Sequence, residues 1–186
     1  DSKKVIQKII KDIVSVFEEN KETIFLFYGS LLGCARNGQI IPWDGDVDFF
    51  IEYESCQKSI SDLKKIGYSI CGKINQRIYL EDRLKNRRGW TWPWVDIYSY
   101  KQVKEDILFM ANEKDVFYTS KVSEIFPLQY KTFEGIQVPV PNIINKHLDI
   151  IYPDWQNTYE NCKVEHKSLN RRKVVVRVNK KDIDDV

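Results

Sequence analysis

Residues Asp46-Val47-Asp48-Phe49-Phe50-Ile51 begin as an acidic/apolar alternation and become wholly apolar, and no other stretch restricts the possible folds as much. Successive side chains of an extended strand point to opposite faces, so Asp46 and Asp48 share one face while Val47 and Phe49 occupy the other. The apolar face needs a covering layer, which makes this a strand of a half-buried sheet. The carboxylates on the other face need a partner. No Lys or Arg lies between Gln39 and Gln57, and a hard divalent cation held by oxygen ligands meets the need. Asp44 extends the spacing by two residues, but Pro42 and Gly45 are turn formers, so Asp44 is expected in the turn at the edge of the site.

The neighbouring segments supply the rest of a sheet. Val5, Ile6, Ile9, Ile10, Ile13, Val14 and Phe17 recur at helical spacing, which predicts an amphipathic helix from about Ser2 to Asn20. Thr23–Tyr28 reads as a short strand, and Gly29-Ser30 then opens a helix running to about Arg36. The free N–H groups of a first helical turn present a place for an anion. Asp46–Glu52 is the next strand, Ser55–Ile66 a helix, and Tyr68–Cys71 with Ile78–Leu80 an antiparallel pair. A further strand, Trp94–Tyr98, carries Asp96 between Val95 and Ile97, and an acid in that setting calls for a chemical reason. Phe126–Tyr130, Thr132–Phe133 and Ile136–Val138 read as short strands around Gly135, and Pro141 starts a helix to about Ile151. The order predicts an α/β (α+β) fold with a mixed sheet flanked by helices. Residues 1–157 form the expected catalytic domain, followed by a charged extension, 158–186.

Composition narrows the function classes. With 29 basic and 27 acidic residues the net charge is only +2, which gives no global signature of nucleic-acid binding. The four cysteines are scattered without a Cys-x-x-Cys pair, so reduced thiols are expected in place of a zinc site. No apolar run approaches the roughly 20 residues that span a bilayer. A soluble chain is expected, with the cytoplasm favoured, or the Golgi lumen where an anchor precedes Asp1. A local basic group, Arg83, Arg87 and Arg88, leads into Trp90, Trp92 and Trp94. Those arginines are candidates for contact with phosphate, as is Arg36, and the indoles, Trp94 among them, for stacking on a substrate.

A Gly-Ser turn at a helix start, an Asp-x-Asp strand and one later Asp are the parts of a phosphoryl-transfer site. Gly29 and Ser30 would cradle phosphate, while Asp46, Asp48 and Asp96 would hold Mg²⁺ or Mn²⁺. Gly29-Ser30-Leu31-Leu32-Gly33-Cys34-Ala35-Arg36, followed by Ile41-Pro42-Trp43-Asp44-Gly45-Asp46-Val47-Asp48, resembles the signature of the LicD family. Trp94-Val95-Asp96-Ile97-Tyr98, Phe126-Pro127-Leu128 and Phe133-Glu134-Gly135 extend the resemblance downstream. It implies a nucleotidyltransferase-like fold and transfer of a phospho-alcohol from a CDP-alcohol, of the CDP-choline or CDP-ribitol type, to a glycan hydroxyl. It further implies that Asp44, Asp46, Asp48 and Asp96 are catalytic and that Gly29 and Ser30 form the phosphate-binding turn, with Arg36 where the family also places a basic residue. The residues alone leave two alternatives open: transfer of a nucleoside monophosphate from a triphosphate, and a non-catalytic module that binds glycan or nucleotide.

Overall fold

A computed structural model describes residues 2–42, 44–52, 54–72, 76–80, 93–111, 114–163 and 174–179, which divide into two units, Asp1–Ile144 and Asn145–Val186. The first opens with α1 (Ser2–Asn20), whose Ile6, Ile9, Ile10, Ile13, Val14 and Phe17 are buried along one face. That apolar stripe is the one its spacing predicts. Strand β1 (Ile24–Leu26), helix α2 (Tyr28–Asn37), strand β2 (Asp46–Glu52) and helix α3 (Gln57–Lys65) follow. Asn20 at the end of α1 donates to Ser59 and Asp62 of α3, and Glu22 accepts the Ser59 N–H. The second contact satisfies a first-turn N–H of α3 that has no partner within the helix.

Strands β3 (Tyr68–Cys71) and β4 (Gln76–Leu80) form the expected antiparallel pair. Strand β5 (Trp94–Val103) then pairs parallel with β2 and antiparallel with β4. Among the described residues the main sheet has seven strands in the order β1-β2-β5-β4-β3, extended by β6 (Asp106–Met110) on β5 and β7 (Val116–Lys121) on β6. The sequence did not signal β6 and β7. β7 is an edge strand with mostly exposed side chains, so it carries little hydrophobic alternation, and β5 runs five residues beyond the expected Tyr98 because β6 pairs with that end.

The two faces of the central strands differ. Val47, Phe49 and Ile51 of β2, with Val95 and Ile97 of β5, are buried on one face. On the other, Asp46, Asp48 and Asp96 give way along the strands to Phe50, Tyr98 and Tyr100, which join Phe25, Phe27 and Phe109 in an aromatic cluster. A sheet with a single buried face was the simpler expectation. Here the second face is acidic at one end and a closed aromatic core at the other.

Helix α4 (Val122–Ile125) and the hairpin β8 (Gln129–Phe133) and β9 (Ile136–Val140) complete this unit. Glu134 and Gly135 make the hairpin turn at φ 51° and 81°. Helix α5 (Ile144–Ile151) starts later than Pro141 predicted, since Asn142 and Ile143 donate their N–H groups to Ile125 and Glu124 of α4. In the second unit the Trp155 indole donates to Asp149 at 2.9 Å, and β10 (Thr158–Lys163) pairs antiparallel with β11 (Val174–Asn179). Those strands fall in the stretch expected only as a charged extension. Among the described residues no helix is long and apolar enough to cross a membrane, and Cys34 and Cys56 are buried free thiols.

One glycine is required by packing. A Cβ on Gly33, inside α2, would lie 2.3 Å from the Gln39 carbonyl oxygen, part of the backbone returning from the helix. Helix propensity favours alanine over glycine by about 1 kcal/mol. The clash reverses that sign, and Gly33→Ala is expected to lower stability by about 1–3 kcal/mol in a denaturant melt.

Candidate active site

The antiparallel pairing of β1 with β2 returns the chain end of β1, and hence the start of α2, to the beginning of β2. Tyr28, at the first position of α2, has φ 46°, a left-handed conformation rare for a bulky residue, and its ring packs on Phe27, Phe50 and Tyr98. Ser30 lies in the first turn of the helix, 2% exposed, and its hydroxyl accepts the backbone N–H of Asp48 at 2.9 Å. The Asp48 carbonyl in turn accepts the N–H of Phe27 at 3.0 Å. The helix start thus clamps the backbone of Asp48 from two directions, a role for Ser30 that the sequence did not reveal.

Parallel pairing of β2 with β5 sets Asp48 beside Asp96 and Asp46 beside Trp94. One carboxylate oxygen from each of Asp46, Asp48 and Asp96 lies within 4.8 Å of the others. Asp48 and Asp96 are 7% and 9% exposed, and Asp46 is half-buried. Burial, and then the charges of Asp46, Asp44 and Asp96, hold the Asp48 carboxyl well above the usual carboxylate range, opposed by Arg77. Burial together with Asp44 and Asp96 pushes Asp46 up to about 7. These shifts arise because the acids stand where the open end of the sheet face meets its aromatic core. Three oxygen donors this close, with this much unrelieved repulsion, fit a hard divalent cation.

Asp44 stands apart from the three, in the turn before β2 as expected. Its carboxylate hydrogen-bonds Asp46 and accepts the Gly45 N–H at 3.1 Å, and burial raises its pKa in spite of both bonds. Gly29 makes room for it, since a Cβ there would lie 2.4 Å from Asp44 Oδ2. The phenols of Tyr28 and Tyr98 have raised pKa values through burial and the nearby Asp48, and so remain protonated donors beside the acids.

A residue that no local sequence pattern marks borders the acidic cluster. Arg77 of β4 is the register partner of Asp96, and its Nε and Nη2 donate to the two Asp96 oxygens at 2.6 and 2.9 Å. The guanidinium lies over the Trp94 ring, Cζ 4.5 Å from its centroid. One face of Trp94, expected to stack on a substrate, is therefore occupied by Arg77. Only the pairing of β4 with β5 identifies Arg77, and no local pattern signals that register.

Arg36 is elsewhere. Six residues past Ser30, about 9 Å along α2, it lines a separate cavity of about 570 Å³ with Lys3, Lys131 and Glu134. Glu134 accepts the Ile40 N–H at 2.9 Å, while its own N–H donates to the Gly38 carbonyl at 2.8 Å. The β8–β9 turn thereby fastens the segment that leads into Asp44. Arg83, Arg87 and Arg88, like Trp43, Trp90 and Trp92, lie outside the described residues.

Comparison with known proteins agrees with this architecture. The chain resembles the lincosamide antibiotic adenylyltransferase LnuA in its lincomycin-bound structure, with a TM-score of 0.52 at 18% identity over 80% of this chain and 88% of that one. It also resembles ANT(2")-Ia in complex with adenylyl-2"-tobramycin, with a TM-score of 0.51 at 12% identity over 73% of this chain and 68% of that one. At these identities the likeness shows the fold, which is that of nucleotidyltransferases. An uncharacterized protein of Rickettsia typhi is 28% identical over 81% of this chain and 46% of its own length, and another of Rickettsia prowazekii is 24% identical over 81% and 54%. The chain thus spans about half the length of these curated relatives. The ribitol 5-phosphate transferase FKRP of Homo sapiens is 43% identical over 51 residues, 27% of this chain and 10% of that protein. The family described as LicD/FKTN/FKRP, nucleotidyltransferase domain, matches residues 21–143, a span that holds α2, the acidic cluster and Arg77, and supports a transferase role. With the fold and most of the chain in agreement, the protein belongs to the LicD/FKTN/FKRP nucleotidyltransferase-domain family.

Proposed function

We propose that the protein is a metal-dependent transferase that moves a phospho-alcohol, of the phosphocholine or ribitol phosphate type, from a CDP-alcohol to a glycan hydroxyl and releases CMP. The observation that carries the reading is the convergence of Asp46, Asp48 and Asp96 beside the first turn of α2. Those three residues would hold Mg²⁺ or Mn²⁺, and the bound cation supplies charge neutralisation to a phosphoryl group in transit. The start of α2 at Gly29 provides N–H groups for a phosphate oxygen. Asp44, outside the three ligands and kept in place by Gly29 and the Gly45 N–H, takes the proton of the acceptor hydroxyl. The acceptor oxygen bonds to the phosphorus that carries the alcohol, and the bond from that phosphorus to the CMP oxygen breaks.

A panel of CDP-choline, CDP-ribitol and CDP-glycerol with Mg²⁺ or Mn²⁺, read as CMP release, tests the reading without knowledge of the acceptor. Pyrophosphate released from CTP, or nucleotide binding with no CMP formed from any of the three, overturns it. Gly29→Ala probes Asp44 in the same assay. The added methyl displaces only the tip of a flexible side chain, so the melting temperature is expected to stay within about 2 °C of wild type. Turnover is expected to fall about 10- to 100-fold, the cost of a misplaced general base.

A further inference from the structure

Arg77 is held in an unusual way for an ion pair. Two bonds to Asp96 and the Trp94 ring behind it fix the guanidinium plane, yet the side chain is 47% exposed. It forms part of the wall of a cavity of about 370 Å³ together with Asp96, Gln76, Gly72 and Tyr98. A guanidinium has five N–H donors in a planar fork, so the two given to Asp96 leave its outer edge able to donate. Asp96 also belongs to the acidic cluster, which brings a fixed cationic fork and a cation-binding carboxylate to the same wall. A bound cation and Arg77 would share the Asp96 carboxylate, and both would still have capacity for an added anion on the cavity side. A diphosphate suits that position, because one phosphate oxygen can bind the cation while another accepts from the fork.

We infer that this cavity is a diphosphate-binding pocket and that Arg77 anchors it through hydrogen bonds to a non-bridging phosphate oxygen. The inference rests on the donor reading above and names the residue that would hold the donor's diphosphate. Gly72, the residue after β3, lines the cavity with φ 101°, a conformation that favours glycine. The Trp94 ring keeps the guanidinium from swinging out to solvent, so the fork is oriented before a ligand arrives.

The test is calorimetric binding of inorganic pyrophosphate and of CDP, each at saturating Mn²⁺, to wild type, Arg77→Gln and Arg77→Lys. Arg77→Gln is expected to weaken both ligands about 10- to 100-fold, the range of a charge-assisted contact. Arg77→Lys keeps a charge opposite Asp96, protects folding, and is expected to recover only part of the affinity because it lacks the fork. In both variants the rise in melting temperature on adding Mn²⁺ should persist. Wild-type affinity for pyrophosphate in Arg77→Gln, or loss of the Mn²⁺ response in step with pyrophosphate binding in both variants, would overturn the inference. The second result would mean that Arg77 acts only by supporting Asp96. Arg77-dependent pyrophosphate binding without turnover of any CDP-alcohol leaves the pocket standing and removes the donor reading. CDP-alcohol turnover with an unchanged KM in Arg77→Gln does the reverse.

Discussion

Asp48→Asn is expected to cut CMP release from a CDP-alcohol by about a thousandfold or more, the equivalent of several kcal/mol of lost transition-state stabilisation. The same substitution should raise the melting temperature of the metal-free protein. The Asp48 side chain is buried among like charges, while the bonds that tie it to α2 are made by its backbone and survive the change. Asparagine keeps the shape and removes a charge whose desolvation is uncompensated without a cation. A gain of a few degrees corresponds to about 1–2 kcal/mol in a chain of this length. Opposite signs for stability and activity distinguish a metal ligand from a structural carboxylate, for which both would fall. Full activity in Asp48→Asn would remove it from the site.

The metal-free protein is also expected to lose stability as pH rises from about 4 to about 7, and the loss should be recovered by Mn²⁺ or Mg²⁺. Asp46 has a folded-state pKa of about 7 and Asp48 is raised as well, so between their unfolded values and these folded values the native state binds more protons than the unfolded state. Stability then falls with rising pH through that window and levels off once both groups have ionised. A divalent cation binds only the ionised cluster, so its effect should be small at pH 5 and large at pH 8. At a metal concentration a hundredfold above Kd the gain is about 2.7 kcal/mol, or roughly 5–10 °C for a domain of this size. Melting curves at the two pH values with and without metal measure it. An equal metal-induced shift at both would show that the cation binds elsewhere. Asp48→Asn should flatten the pH dependence and reduce the metal response.

Where the sequence was legible, the information was local. The stripe on α1, the alternation over β2 and the Gly-Ser helix start each lie within one element, and each appears in the structure at the expected place. The same is true of Asp44, which Pro42 and Gly45 assign to a turn. β7 has no clear signal because an exposed edge carries a weak pattern, and the last residues of β5 form a strand because β6 pairs with them. Ser30 was legible as a residue of the site, but its bond to the Asp48 N–H joins residues 18 apart and follows from the antiparallel return of β1 onto β2.

The arginines show the boundary most clearly. Composition and proximity in the chain drew attention to Arg36 and to the Arg83–Arg88 group, whereas the structure lines a second cavity with Arg36 and brings Arg77 to Asp96. By itself the sequence determined that Asp46 and Asp48 share one face of a strand and that a helix start stands near them, because a two-residue period and a glycine-serine turn are properties of adjacent residues. Asp96 was expected as their third carboxylate, but its place beside Asp48 comes from strand pairing, and tertiary structure alone decided that Arg77 faces Asp96 and that Asp48 is buried deeply enough for its charge to matter. Those outcomes depend on strand order and register, which are set by packing between segments distant in the chain, where a shift of one residue would turn every one of these side chains to the other face.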